Sequence, residues 1–294
     1  MLYDFSERKA LSLVNLRQNG NSQFTFGFSE MTGNKNRICI RQIRPAIGSD
    51  SALFAIIDGG SNPEIADEVT KVIERIAGEE RHTPDALPRW ILQAHVSLGA
   101  LGERLGAAVL LCLLSGGRVH VCSSGGARCV ISTPSSVAHL LPLQQIDDQE
   151  YARVRHASCI IDENNKIDGV TPLSHQVGFS SLFPAVLPSP TVASIALSAD
   201  HRFLVMANQS VWSALSELSL LSILNDQPNP HIAAKCIQDA AESSDCLGNV
   251  SVLVVKLDGS PPDSGRDSKS GGIGIPRKES TLKQIEERLE KISQ

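Results

Sequence analysis

The chain has 294 residues, 41% of them hydrophobic and 20% charged, the balance of a globular protein with a core of ordinary size. A net charge of −5 leaves no broad basic footprint, and aromatic residues at 4% leave no stacking platform, so nucleic acid is excluded as an expected partner. No apolar run approaches the roughly 20 residues of a membrane-spanning helix.

In chain order, the turn-rich stretch Gln18-Asn19-Gly20-Asn21-Ser22 precedes the first strand signal, the alternating Gln23-Phe24-Thr25-Phe26-Gly27-Phe28. Residues 37–43 alternate in the same way, which would place Arg37 and Arg41 on an outward, solvated face. Residues 52–57 form a continuous apolar run that stops at Asp58-Gly59-Gly60, as a buried strand does at a tight turn. Asn62 caps a helix with Pro63 at its first position and Ile65, Val69, Val72, Ile73 and Ile76 on one face. A second helix starts at Thr83-Pro84 and runs through Trp90, Ile91, Ala94 and Leu98, with a break expected at Pro88. Three strands follow, at 107–114, 118–123 and 127–132. They are separated by the pairs Gly116-Gly117 and Gly125-Gly126, each read as a hairpin signal.

The stretch 147–191 is rich in loops and proline, with a short helix over 148–156. Asp147, Asp148 and Glu150 open that helix, where negative charge suits the dipole without any ligand role. Strands are expected at 191–197 and 202–207, helical patterns at 209–225 and 231–242, and a last strand at 249–257. Residues 258–279 shift to Gly, Ser, Pro and charge, the composition of a disordered linker. Residues 280–294 carry Leu282, Ile285, Leu289 and Ile292 at heptad spacing, a short amphipathic helix suited to docking a partner or to self-pairing. Its start, Arg277-Lys278-Glu279-Ser280, makes Ser280 a candidate kinase site, since a phosphate is favourable at a helix N-terminus. Strands too closely spaced for helical crossovers exclude a regular βαβ repeat and point to layered sheets covered by helices.

The first residues, Met1-Leu2-Tyr3-Asp4-Phe5-Ser6-Glu7-Arg8, lack the basic-then-apolar order of a secretory signal. The seven cysteines show no zinc-ligand spacing and read as reduced thiols of a cytoplasmic or nuclear protein. His175 and His201 lie beside Ser and Asp residues, yet no G-x-S-x-G elbow is present to carry a Ser/His/Asp mechanism.

Five islands in sequence order carry a resemblance: residues 54–60 (Phe-Ala-Ile-Ile-Asp-Gly-Gly), 105–109, 121–128 (Val-Cys-Ser-Ser-Gly-Gly-Ala-Arg), 202–212 and 248–255. Together they resemble the metal-dependent protein phosphatase (PPM, type 2C) family over nearly all of 23–257. Within it, 36–40, 168–171 and 187–190 are similar to the phosphatase domain of the PH-domain leucine-rich-repeat protein phosphatases. The resemblance implies an α+β fold, a four-layer α-β-β-α sandwich of two mainly antiparallel sheets covered by helices. It also makes 1–22 an N-terminal extension, a remnant of a leucine-rich repeat, and raises the reading of the chain as part of a longer protein of that kind.

The family chemistry is understood to use two Mg²⁺ or Mn²⁺ ions, held by Asp side chains and a backbone carbonyl, with a metal-bridging water as the nucleophile. Two cations about 3.5–4 Å apart need several carboxylates to neutralise them, so the acidic positions test the function. By the resemblance, Asp58 and the Gly59 carbonyl are retained as vestigial metal ligands, while Gly60 replaces the family's His. Cys39-Ile40-Arg41 stands where the first acidic pair is expected. Gly125-Gly126 and Gly178-Phe179 stand for two Gly-Asp pairs, Gln209-Ser210 for Asp-Gly before the Trp, Ser213 for the Asp after it, and Gly248-Asn249 for Asp-Asn. Asp58 also has a purely structural reading, as the acid that caps its own Asp-Gly turn.

The expected function is therefore a pseudophosphatase. This is a binding and regulatory module in phosphorylation signalling that engages a protein partner, a kinase or a phosphoprotein, with no catalytic residue and no cofactor. The alternative is a divergent Ser/Thr phosphatase that uses Mg²⁺ or Mn²⁺ through Asp58 and loop carboxylates such as Asp162, Glu163 or Asp168.

Overall fold

The computed structural model describes residues 14–15, 25–31, 40–48, 51–142, 144, 146–244, 246 and 248–257. The segments expected as linker (258–279) and tail helix (280–294, with Ser280), Arg37, and all of the N-terminal extension but Val14–Asn15 lie outside the described residues. The chain forms two compact units, one built mainly from 128–140 and 196–257 with 25–31, the other from 40–127 and 141–195.

The first unit holds β1 (Val14–Asn15), β2 (Thr25–Met31), β7 (Arg128–Ser132), β8 (Val137–His139), β11 (Phe203–Ala207) and β12 (Val250–Lys256), in the order β1-β2-β12-β11-β7-β8. The pairings β2–β12, β12–β11 and β11–β7 are all antiparallel, with Val205 opposite Val254 and Val130. Phe203, Val205 and Ala207 pack with Val250, Val252 and Val254 on the face covered by α5 (Gln209–Ala214), α6 (Glu217–Asp226) and α7 (Pro230–Ser243). Asn229 caps α7 by accepting the His231 N–H at 2.9 Å, with Pro230 at the first helical position. The helix lies so close on β2 that a Cβ at Gly27 would stand 2.2 Å from the His231 Cα. Buried Ser29 closes this contact by donating its hydroxyl to Gln238.

The second unit contains β3 (Ile40–Gly48), β4 (Ser51–Asp58), β5 (Gly106–Ser115), β6 (Arg118–Ser124) and β10 (Thr191–Ala196), in the order β10-β6-β5-β4-β3. The two-residue β9 (Val177–Gly178) pairs antiparallel with the start of β5. Alternate residues Leu53, Ala55 and Ile57 of β4, with Val109, Leu111 and Leu113 of β5, pack under α1 (Pro63–Glu79) and α2 (Ala86–Ser97). Phe54, Ile56, Leu110 and Cys112 on the other face are equally buried, which is why these strands read as unbroken apolar runs. Trp90 of α2 is fully buried, and its indole donates to Glu80 at 2.9 Å. The short α3 (Leu101–Arg104) leads into β5, and α4 (Asp148–His156) follows the sheet. The fold is α+β, two mainly antiparallel sheets each carrying helices.

Three expectations need correction. Pro88 does not break α2: it is the third helical residue, where a backbone N–H has no intrahelical acceptor to lose. The pattern over 209–225 is two helices, because the chain is extended at Leu215 and Ser216, and Ser216 caps α6 by accepting the Ser219 N–H. Gly116-Gly117 does turn the β5–β6 hairpin, both residues having positive φ. Gly125-Gly126 makes no hairpin, since β6 belongs to one sheet and β7 to the other.

Candidate functional site

The second unit contributes the turn after β4. The Asp58 carboxylate accepts the Gly60 N–H at 2.8 Å, and the Gly59 carbonyl accepts the Asn62 N–H at 3.1 Å. Asn62 in turn caps α1 through the Glu64 N–H at 2.8 Å. Gly59 admits no side chain, as its Cβ would stand 2.3 Å from the Asn62 carbonyl oxygen. Asp58 and Gly59 thus both serve the strand-to-helix turn.

At the end of β6, Gly125 has φ +116°, and a Cβ there would stand 2.4 Å from the Ala108 Cβ and 2.6 Å from its Cα. Its N–H donates to the Gln144 side chain at 2.8 Å, and Gln144 reaches Thr191 at 3.3 Å. This hydrogen bond, the steric limit and the Ser123 hydroxyl donating to the Ala127 carbonyl hold the chain as it leaves the sheet.

Gly178 is fixed by β9 opposite Gly106, with its N–H donating to Nδ1 of His95 at 3.1 Å. Burial pushes the His95 imidazole down to about 4, so the ring is the neutral acceptor this bond requires. Phe179 follows in a left-handed conformation, its N–H donating to the Leu105 carbonyl at 3.0 Å. Its ring lies against Gly106, where a Cβ would meet it at 2.2 Å, and packs on the small core of Val154, Ile167, Ala185 and Val186. The Phe179 ring therefore fills its own niche between Gly106 and this small core.

In the first unit, Asn208 links β11 to α5. Its side chain donates to the Asn249 carbonyl at 2.8 Å and accepts the Ser251 N–H at 3.1 Å, locking the end of β11 to the start of β12. Ser210 and Gly248 meet here: a Cβ at Gly248 would stand 2.4 Å from the Ser210 Oγ and 3.2 Å from its Cβ. Trp212 donates its indole N–H to the Ala207 carbonyl at 2.8 Å, and the Arg128 guanidinium lies 5.6 Å from its ring centre. His139 stacks edge-on against the same ring at 5.5 Å, with its Nε2 3.4 Å from Glu217. Sequence reasoning passed over this cluster around Trp212. The island 121–128 ends in Arg128 and the island 202–212 ends in Trp212, which was the one signal that could have joined them.

The other candidates are built into local structure. Asp162 accepts the Asn164 and Lys166 N–H groups at 2.8 and 2.9 Å, and Asp168 accepts the Ile160 N–H at 2.7 Å. Asp147 caps α4 through the Glu150 N–H, as its place before the helix suggests. His201 accepts the Ser198 N–H in a turn of the first unit. His175 and Ser174 both converge on the carboxylate of Glu150, so the serine hydroxyl is directed to the carboxylate and not to the imidazole, unlike the Ser-His-Asp order of a triad. Among the described residues, no three His, Cys, Asp or Glu side chains form a group that could hold a metal ion. No helix among them is long and apolar enough to cross a membrane.

Residues 30–250 match the family model described as protein phosphatase 2C, and the chain belongs to that family. It is 24% identical over 304 residues to the human PH domain leucine-rich repeat-containing protein phosphatase 1, covering 88% of this chain and 18% of that protein. The chain thus spans about a fifth of the length of the curated relatives it matches at this level. In structure it is similar to a C. elegans sex determining protein, with a TM-score of 0.69 and 15% identity over 83% of this chain and 67% of that one. It is also similar to the serine/threonine phosphatase Stp1 from Staphylococcus aureus, with a TM-score of 0.66 and 12% identity over 84% and 99%. At these identities the structural likeness shows the fold, and activity is a separate question.

Proposed function

We propose that the chain is a binding and regulatory module on a protein phosphatase 2C fold, a pseudophosphatase that engages a kinase or phosphoprotein in phosphorylation signalling. The family's chemistry depends on Mg²⁺ or Mn²⁺, which when bound supply the activated water and neutralise the phosphoryl charge. The observation that carries the proposal is the reciprocal packing of Ser210 and Gly248. By the family pattern these positions hold a glycine and an aspartate; here the side chain stands on the other partner, and a Cβ at 248 would meet the Ser210 Oγ at 2.4 Å and its Cβ at 3.2 Å, a crowded place for an aspartate. Phe179 supports the same reading, since its ring is packed where an acid is expected. Asp58 and the Gly59 carbonyl are vestigial ligands in this account, retained because they close the turn into α1. A lone carboxylate holds Mg²⁺ only weakly without further ligands.

Isothermal titration with Mn²⁺ tests the proposal independently of turnover. It should show no saturable uptake below the millimolar range, and the Asp58→Asn variant should behave in the same way. Micromolar binding of two ions per chain, lost in Asp58→Asn, would favour the divergent active phosphatase instead.

A further inference from the structure

Between β8 and β10 in sequence, residues 146–190 make a lobe with its own small core. Its middle, 177–181, is tied to β5 and α3 by the β9 pairing, by the Phe179 N–H on the Leu105 carbonyl and by the Ser180 and Ser181 hydroxyls on the Gly102 and Glu103 carbonyls. The stretches on either side are held by few regular bonds. Ile161 bridges Ile167, Ile167 bridges Thr171, His175 bridges Leu187, and the Gln176 and Leu187 N–H groups donate to the Leu187 and Ser174 carbonyls at 2.9 and 3.0 Å. One side chain joins the pieces. Oε2 of Glu150, on α4, accepts from Arg153 at 2.7 and 3.2 Å and from the Ser174 hydroxyl at 2.7 Å, and lies 3.1 Å from Nε2 of His175. Arg153, held by that carboxylate, donates onward to the Pro184 carbonyl and to the Ala185 and Ser174 carbonyls at 3.0 and 3.5 Å. The carboxylate side chain is only 13% exposed, and its partners Arg153 and His175 are 27% and 18% exposed.

We propose that Glu150 is a conformational latch. It clamps residues 171–176 and 184–187 onto α4, and these stretches open together, separately from the β4–β5 ladder and from the β9 anchor, when that charge is removed. The physical reason is asymmetry. With Glu150 ionised, the Arg153 guanidinium and the Ser174 hydroxyl both have a charged acceptor; without that charge, a half-buried guanidinium loses its counter-ion and three backbone carbonyls lose a fixed donor. The sheet does not share this dependence, since β4 and β5 are held by an unbroken antiparallel ladder from Ser51↔Ser115 to Asp58↔Ala108 and by the core under α1 and α2. The groups facing Glu150 are Arg153 from its own helix and Ser174 and His175 from the opposite segment. Burial pushes the carboxyl up, but the bonds from His175, Arg153 and Ser174 outweigh it and hold it well below the usual range. The latch therefore stays charged through neutral and mildly acidic conditions. The lobe it holds also carries exposed Tyr151, Ile160, Val170 and Phe183, so latch opening would alter an apolar part of the surface.

Hydrogen exchange read by mass spectrometry on the full chain tests this. In Glu150→Gln, peptides covering 171–176 and 184–187 should exchange about 10-fold faster or more, with β4 and β5 unchanged. Ser174→Ala, which removes one neutral donor and keeps both charges, should accelerate the same peptides about 3-fold. Asp148→Asn, an exposed acid of the same first turn, should leave them as they were. Unchanged exchange across 171–176 and 184–187 in Glu150→Gln and Ser174→Ala, or an equal loss of protection in β4 and β5, would overturn the latch.

Discussion

Replacing Gly248 by Asp should destabilise the protein, and replacing Ser210 by Gly in the same chain should relieve much of that cost. A Cβ at 248 would stand 2.4 Å from the Ser210 Oγ and 3.2 Å from its Cβ. Rotation of the hydroxyl removes the first clash but not the second, so the single change costs about 1–2 kcal/mol, at the lower end of overpacking. Ser210→Gly alone costs about 0.5–1 kcal/mol, because Ser210 lies in the first turn of α5 and glycine adds backbone entropy to the unfolded chain. If the two positions exclude each other sterically, the double variant is more stable than the sum of the singles by about 0.5–1.5 kcal/mol. Urea denaturation of the four proteins, followed by circular dichroism, reads this coupling. Additive changes within about 0.3 kcal/mol would refute the reasoning and remove the packing argument for a closed position at 248.

Gly125→Ala should cost about 2 kcal/mol or more, since φ is +116° and the Ala108 Cα lies 2.6 Å from the new methyl; a shift under about 0.5 kcal/mol in urea denaturation would contradict it. Trp90→Ala, which empties a fully buried site and leaves Glu80 without its indole donor, should cost about 3–5 kcal/mol by the same assay. The pH dependence follows from His95, whose folded value is pushed by burial from 6.5 to about 4. The unfolded chain then binds the extra proton between those values, so this contribution is complete above about pH 6.5 and is lost as pH falls towards 4. The denaturation midpoint should rise across that window, and more shallowly in His95→Gln; an identical slope would count against a neutral His95 holding Gly178.

Most of the architecture was legible because the strongest signals were local. The Asn62-Pro63 cap, the apolar face of α1 and the unbroken run in β4 each carry their own explanation, and α4 falls on the expected residues. The misses came where distant residues decide. Gly125-Gly126 has the composition of a hairpin turn, but whether the chain folds back or changes sheets depends on Ala108 and Gln144, both remote in sequence. The site behaved similarly. The turn role of Asp58 was readable from Asp-Gly-Gly alone, whereas the packing of Ser210 on Gly248 and of Phe179 on Gly106 joins residues tens of positions apart. Glu150 read as a helix-dipole acid, and its convergence with Ser174 and His175 is a tertiary fact that no spacing announces.

The most direct measurement is hydrolysis of phosphoserine and phosphothreonine peptides in millimolar Mn²⁺ and Mg²⁺, run beside Asp58→Asn, with folding of both proteins verified by circular dichroism. No turnover above the metal-only blank in either protein is the predicted result and leaves a binding module on a phosphatase fold. Turnover in the unmodified chain that disappears in a folded Asp58→Asn variant would contradict the account and make Asp58 a working ligand.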